Sequence, residues 1–168
     1  MKTRLFFLVL LYVCFSCQRE ANKTIQACCL SSNDSLLIVN ELISITDIYA
    51  ESNIKMDIEK AAKFYDSSSD FKCVENGVEY ANWDSLYSSV RNFFTQPLES
   101  VECVWGERSI IPLKHDAATI YGGLSFIAKF KSGEVYHSKG FLRGLFIKKN
   151  EDWKLTQSHF SVEASENK

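Results

Sequence analysis

A chain of 168 residues is about one domain's worth, long enough to bury a single core and too short for two. Apolar and charged residues make up 46% and 24% of it, as in an ordinary globular protein, which excludes wholesale disorder and a multi-span membrane protein. Setting aside Lys2 and Arg4 leaves 17 basic side chains against 21 acidic ones. That dispersed net charge of −4, with no basic cluster interleaved with aromatics, argues against nucleic acid as a partner.

Lys2 and Arg4 precede the apolar run Leu5 to Phe15, which is too short to cross about 30 Å of hydrocarbon as a helix but suits the core of an export signal. The run ends in Ser16-Cys17, followed by the polar Gln18-Arg19-Glu20. This resembles the lipobox of bacterial lipoproteins, in which a small residue stands before a cysteine that becomes the acylated first residue. The pattern departs from the lipobox at Cys14, where leucine is favoured, and a plain secretory signal or an uncleaved anchor is the rival reading. The expected organisation is a signal peptide over 1–16, a lipidated Cys17 and polar tether over 17–33, one domain over 34–162 and a tail over 163–168. A membrane-anchored protein of a bacterial cell envelope is implied.

Four cysteines remain: the vicinal pair Cys28-Cys29, and the isolated Cys73 and Cys103. They show no CxxC and no Cys/His ligand spacing, so neither a metal nor a cofactor is expected, and Cys73 and Cys103 read as small buried hydrophobes.

Periodicity gives the elements in chain order. Ile38, Leu42, Ile45 and Tyr49 recur at helical steps behind the potential caps Asn33 and Asp34, predicting a helix that ends near Ser52-Asn53. A second helix opens at Asp57 with Ile58, Ala61, Ala62 and Tyr65 on one face, and Ser67 to Ser69 stop it. Phe71 to Val74 is a short strand, the Asn76-Gly77 dipeptide favours a tight hairpin, and Val78 to Tyr80 returns. Asn82 can cap a third helix with Trp83, Val90 and Phe94 at helical spacing, ended by Pro97. Strand-like alternation follows at Val101, Cys103 and Trp105, with a break over Pro112 to Asp116. Further strands are predicted over Ala117 to Lys131, Glu134 to Lys149 and Trp153 to Val162. Helices first and long strands afterwards make an α+β order.

Phe64-Tyr65 with Asp70-Phe71, the Asn76-Gly77 hairpin, Asp116-Ala117, and Trp153-Lys154-Leu155 with His159-Phe160-Ser161 resemble the passages of nuclear-transport-factor-2-like (SnoaL-like) domains. The resemblance covers Ser35 to Val162. It implies an α+β cone-shaped roll, three N-terminal helices packed on a strongly curved antiparallel sheet, with a pocket at the mouth. Relatives of this kind include ligand binders, assembly modules and proton-transfer enzymes. Two functions therefore stay open: a domain that binds a small molecule or an envelope protein, or an isomerase, dehydratase or hydrolase-like enzyme. Relatives also pair through the outer sheet face, and Leu142 and Phe146 are expected to face outward there in a homodimer.

The ligand-binding candidates are Tyr65, Trp83, Tyr121, Arg143, Gln157 and His159. Trp153, Leu155, Gln157 and His159 share strand parity, which turns the last two inward if the first two are core. Arg143 between Phe141 and Leu145 would need an internal acid or an anionic ligand to neutralise it. His159 is either a general acid/base or a core histidine that orders the closing strand. In relatives that isomerise or dehydrate ring ketones a carboxylate after the second helix is the base. Glu75 falls near that place, although a solvated turn residue is the blander reading, and Asp70 is as ambiguous. His159, Glu75 and Asp70 are the catalytic candidates.

Cleavage before Cys17 predicts that radiolabelled fatty acid is incorporated by the wild-type protein and lost in Cys17→Ser; label retained by that variant would contradict the assignment.

Overall fold

The computed structural model describes residues 30–163; the export segment and Cys17, Cys28 and Cys29 lie outside them. Among the described residues no helix is long and apolar enough to cross a membrane. The elements are α1 (Ser32–Ile54), α2 (Ile58–Ala62), β1 (Lys72–Glu75), β2 (Val78–Tyr80), α3 (Trp83–Phe94), β3 (Leu98–Lys114), β4 (Ala117–Phe130), β5 (Val135–Lys149) and β6 (Asp152–Val162). The expected α+β order is present: helices pack on one face of a curved six-stranded sheet. Its strand order is β2-β1-β6-β5-β4-β3, with β1 parallel to β6 and every other pair antiparallel.

Local chemistry accounts for most boundaries. Asp57 caps α2 by accepting from the Lys60 amide at 3.0 Å, and Asn82 opens α3 in a capping box with Ser85. The β1–β2 turn uses Asn76 and Gly77 at φ of 54° and 81°, the left-handed pair that matches hairpin twist. Two expectations shift. α2 stops at Ala62, and Tyr65 leaves the helix to bridge Leu155 of β6. Pro112 does not break the chain either: it pairs with Ala118 inside β3, because β3 is the edge strand and a missing N–H costs nothing on its open side.

Helix α1 is fixed to the sheet by polar contacts rather than by a continuous apolar stripe. Its buried positions are Ile38, Leu42, Thr46, Ser52 and Asn53, while Ile45 is only half-buried. The Trp105 indole donates to the Thr46 carbonyl at 3.0 Å, and Arg108 Nη1 reaches Thr46 Oγ1 and Asp47 Oδ1, each at 2.6 Å. Farther along, Glu41 accepts from the Trp153 indole at 2.6 Å and from Lys148 at 3.2 Å. The loop after α2 is held by Lys149, which lies 2.7 Å from the buried Asp66 and 3.4 Å from the exposed Asp70. Burial raises the Asp66 carboxyl, but bonds from Lys149 and Ser68 outweigh it and leave the group below its ordinary range.

The inner and outer faces of the sheet are set by β5. Ser138, Gly140, Leu142, Gly144 and Phe146 are buried on the helix side, whereas Phe141 and Arg143 stand exposed. Leu142 and Phe146 therefore do not face outward: they are 5% and 0% exposed. The glycines misled the apolar alternation. At Gly144 an added Cβ would lie 2.5 Å from Leu155 Cδ1, so the inner face requires glycine where a core residue would be looked for. Apolar residues that stand more than 40% exposed on the outer face include Val104, Ile111, Tyr121 and Phe141.

Candidate functional site

The helices cover the inner face without filling it, leaving a cavity of about 320 Å³. That is the low end of the volumes that hold small molecules. α1 contributes Tyr49 and Asn53, the segment before β1 contributes Tyr65, and β1 contributes Glu75. α3 supplies Leu86, Val90, Phe93 and Phe94, while the long strands supply Cys103, Leu124, Phe126, Tyr136 and Leu142. Phe160 of β6 and Tyr80 of β2 complete the wall, and Ser89 is exposed at its edge. Glu75 is the one charged residue among those that line it.

The position of Glu75 follows from its strand. Phe71 and Cys73, at 0% and 1% exposure, fix the inner parity, and Glu75 shares it as the last residue of β1 before the turn. Among the described residues the one hydrogen bond its side chain makes is a long one from Cys73 Sγ, at 3.8 Å. No fully enclosed side-chain nitrogen or oxygen among the described residues is left unpartnered, so the other Glu75 oxygen is reachable from the cavity. With no cation against it, burial raises its pKa above the ordinary carboxylate value. Beside it the Tyr49 and Tyr65 hydroxyls share a hydrogen bond of 3.0 Å. Burial pushes both phenols up, and the Glu75 charge adds to this. Cys103, in the same wall, has a thiol pushed up by burial to about 12, which makes it a small apolar surface rather than a nucleophile.

Of the sequence-derived candidates the cavity gathers Tyr65 and Glu75. Trp83 lies behind the wall, edge-on to Phe71 and tilted against Tyr65, and packs with the Phe71, Cys73 and Leu86 cluster. Asp70 is a surface acid that pairs with Lys149 and is not among the residues that line the cavity. Gln157, His159 and Arg143 are corrected: they line a shallow groove on the outer face with Lys72, Val74 and Thr119. Tyr121 is on that face too, stacked on Phe141 with ring centroids 5.5 Å apart.

The cause is one extra residue in β6. Leu145 pairs with Gln157 while its neighbour Phe146 pairs with Leu155, so Thr156 is a bulge, and it reverses the parity of everything after it. Trp153 and Leu155 face inward as expected, then Ser158 and Phe160 do, and Gln157 and His159 face out. Arg143, cross-strand partner of His159, is exposed and needs no internal counter-charge. Glu75 and His159, both catalytic candidates, thus lie on opposite faces of the sheet. What the sequence reading missed was the aromatic wall of α3 and β4 and the Tyr49–Tyr65 pair. The step of sixteen residues between those tyrosines carries no local signal, since it spans two helices.

No family model matches the chain, and no curated protein does. Solved structures do. A nuclear-transport-factor-2-like superfamily protein from Salmonella enterica superposes with a TM-score of 0.65 at 16% identity, covering 76% of this chain and 92% of that one. A candidate scytalone dehydratase from Novosphingobium aromaticivorans reaches 0.72 at 10% identity, over 80% and 89% of the two chains. A nuclear-transport-factor-2-like protein of unknown function from Shewanella oneidensis reaches 0.61 at 18% identity, over 73% and 98%. The domain has the nuclear-transport-factor-2-like cone fold.

Proposed function

We propose that the protein is a lipid-anchored envelope protein, held by an acylated Cys17, whose cone cavity takes up a small, largely apolar molecule. The observation that carries this reading is the cavity itself: an aromatic-walled space whose lining includes the carboxyl of Glu75 and the hydrogen-bonded hydroxyls of Tyr49 and Tyr65. An apolar body would lie against Phe93, Phe94 and Phe126, and one polar group would meet the tyrosine pair and the carboxyl. A thermal-shift screen of small aromatic compounds on the full-length protein tests this. Compounds that raise Tm should lose their effect in Ser89→Trp, which plugs the edge of the cavity, and keep it in Arg143→Ala and His159→Ala. Loss in the latter two with retention in Ser89→Trp would move the site to the outer groove.

Glu75 favours a second reading, a proton-transfer enzyme of the isomerase or dehydratase type. A carboxyl whose pKa is raised by burial is suited to take and return a proton, and a hydrogen-bonded tyrosine pair can donate to a developing oxyanion. In this reading Tyr49 and Tyr65, and not His159, act together with Glu75. The candidate scytalone dehydratase among the similar structures bears the name of such a reaction.

The outer face is proposed to receive a second copy of the chain, through Val104, Ile111, Tyr121 and Phe141 rather than Leu142 and Phe146. Sedimentation of the full-length protein at micromolar concentration should give a dimer, and the double variant Tyr121→Asp, Phe141→Asp a monomer. A monomeric wild type would contradict the pairing.

A further inference from the structure

Among the described residues the cavity wall holds no lysine, arginine or histidine, and its single charge is negative. Eight of its nineteen residues are tyrosine or phenylalanine. Phe93, Phe94, Phe126 and Tyr136 meet one another edge-to-face, at interplanar angles between 62° and 77°. A half-buried carboxylate that meets no counter-charge among the described residues is solvated less well than in water, and a bound cation would stabilise its charged form. Aromatic faces attract cations through the ring quadrupole, most strongly where water is excluded. An anionic ligand would be repelled by the Glu75 charge, and a neutral one would leave that charge without a counter-ion.

Resting on the small-molecule reading of the cavity, we propose that its ligand is an organic cation, an ammonium group carried on an apolar body. The positive charge pairs with Glu75, and the substituents around the nitrogen lie against the tyrosine and phenylalanine rings. Tyr49, Tyr65 and Tyr80 offer hydroxyl oxygens as further acceptors. Glu75 then acts as the counter-ion that selects the ligand.

Three probes of nearly equal shape test the assignment on the full-length protein: benzyltrimethylammonium, its neutral isostere neopentylbenzene and the anion phenylmethanesulfonate. At pH 8 the cation should bind about tenfold or more tightly than the neutral probe, and the sulfonate should not bind. In Glu75→Gln the preference for the cation should shrink to about threefold or less. The wild-type preference should also fall as the pH is lowered and Glu75 takes up a proton, a readout that needs no variant to fold. Neutral binding equal to or tighter than that of the cation would overturn the charge assignment while leaving the small-molecule reading intact. A cation preference that persists in folded Glu75→Gln, or that is independent of pH, would remove Glu75 as the counter-ion. Binding of none of the three would count against both the assignment and the pocket as a site for ligands of this size.

Discussion

The bulge at Thr156 is the constraint on which the rest of the site depends. β6 must satisfy two partners in different phases. Below the bulge Leu155 exchanges backbone bonds with the segment after α2, donating to the Phe64 carbonyl at 2.9 Å and accepting from the Asp66 amide at 3.0 Å. Above it Gln157 to Phe160 pair in parallel with β1. One unpaired residue between these stretches lets Leu155 and Phe160 both face the helices, although their separation of five would put them on opposite faces of a regular strand. Because Glu75 is the register partner of Phe160, the same residue decides that the carboxylate enters the cone and that His159 leaves it.

Elements set by local chemistry were legible in the sequence. The Asn82 cap, the Asn76-Gly77 turn and the strand boundaries around Gly133 and Asn150 each need particular residues within a few positions, and those residues announce themselves. The order of helices and strands, and so the fold class, followed. Orientation was harder. Gly140 and Gly144 occupy inner positions of β5 where the closeness of β6 leaves no room for a side chain, so the apolar alternation points the wrong way. The bulge at Thr156 carries no compositional mark: it follows from the pairing needs of two neighbours distant in sequence. Strand parity counted from Trp153 was therefore right for two residues and inverted for the next ones.

Polar contacts inside the domain divide into those that hold the frame and the one that does not. Arg108 with Thr46 and Asp47, Trp153 with Glu41, and Lys149 with Asp66 each join an early segment to the sheet, and each charge has a partner at hydrogen-bond distance. Buried ionic groups are tolerated on those terms. Glu75 is the exception, since its neighbours are a thiol, two phenols and aromatic rings. The frame pairs the buried Asp66 and the largely covered Arg108, whereas Glu75 meets no cation among the described residues and lies in a site of limited volume, where a ligand's polar group or a transferable proton would meet it.

The measurement that tests this account most directly is the stability of the wild type and of Glu75→Gln, followed by denaturant unfolding from mildly acidic to mildly alkaline pH. A carboxyl whose pKa is raised on folding binds its proton more tightly in the native state, so it costs nothing below its unfolded value and destabilises increasingly as the pH rises through its folded value. The account predicts that Glu75→Gln gains stability relative to the wild type across that window and holds the advantage at higher pH. A difference that does not change with pH, or a wild type that gains on the variant as the pH rises, would show Glu75 to be solvated or ion-paired and would contradict a cavity carboxyl that burial holds above its ordinary pKa.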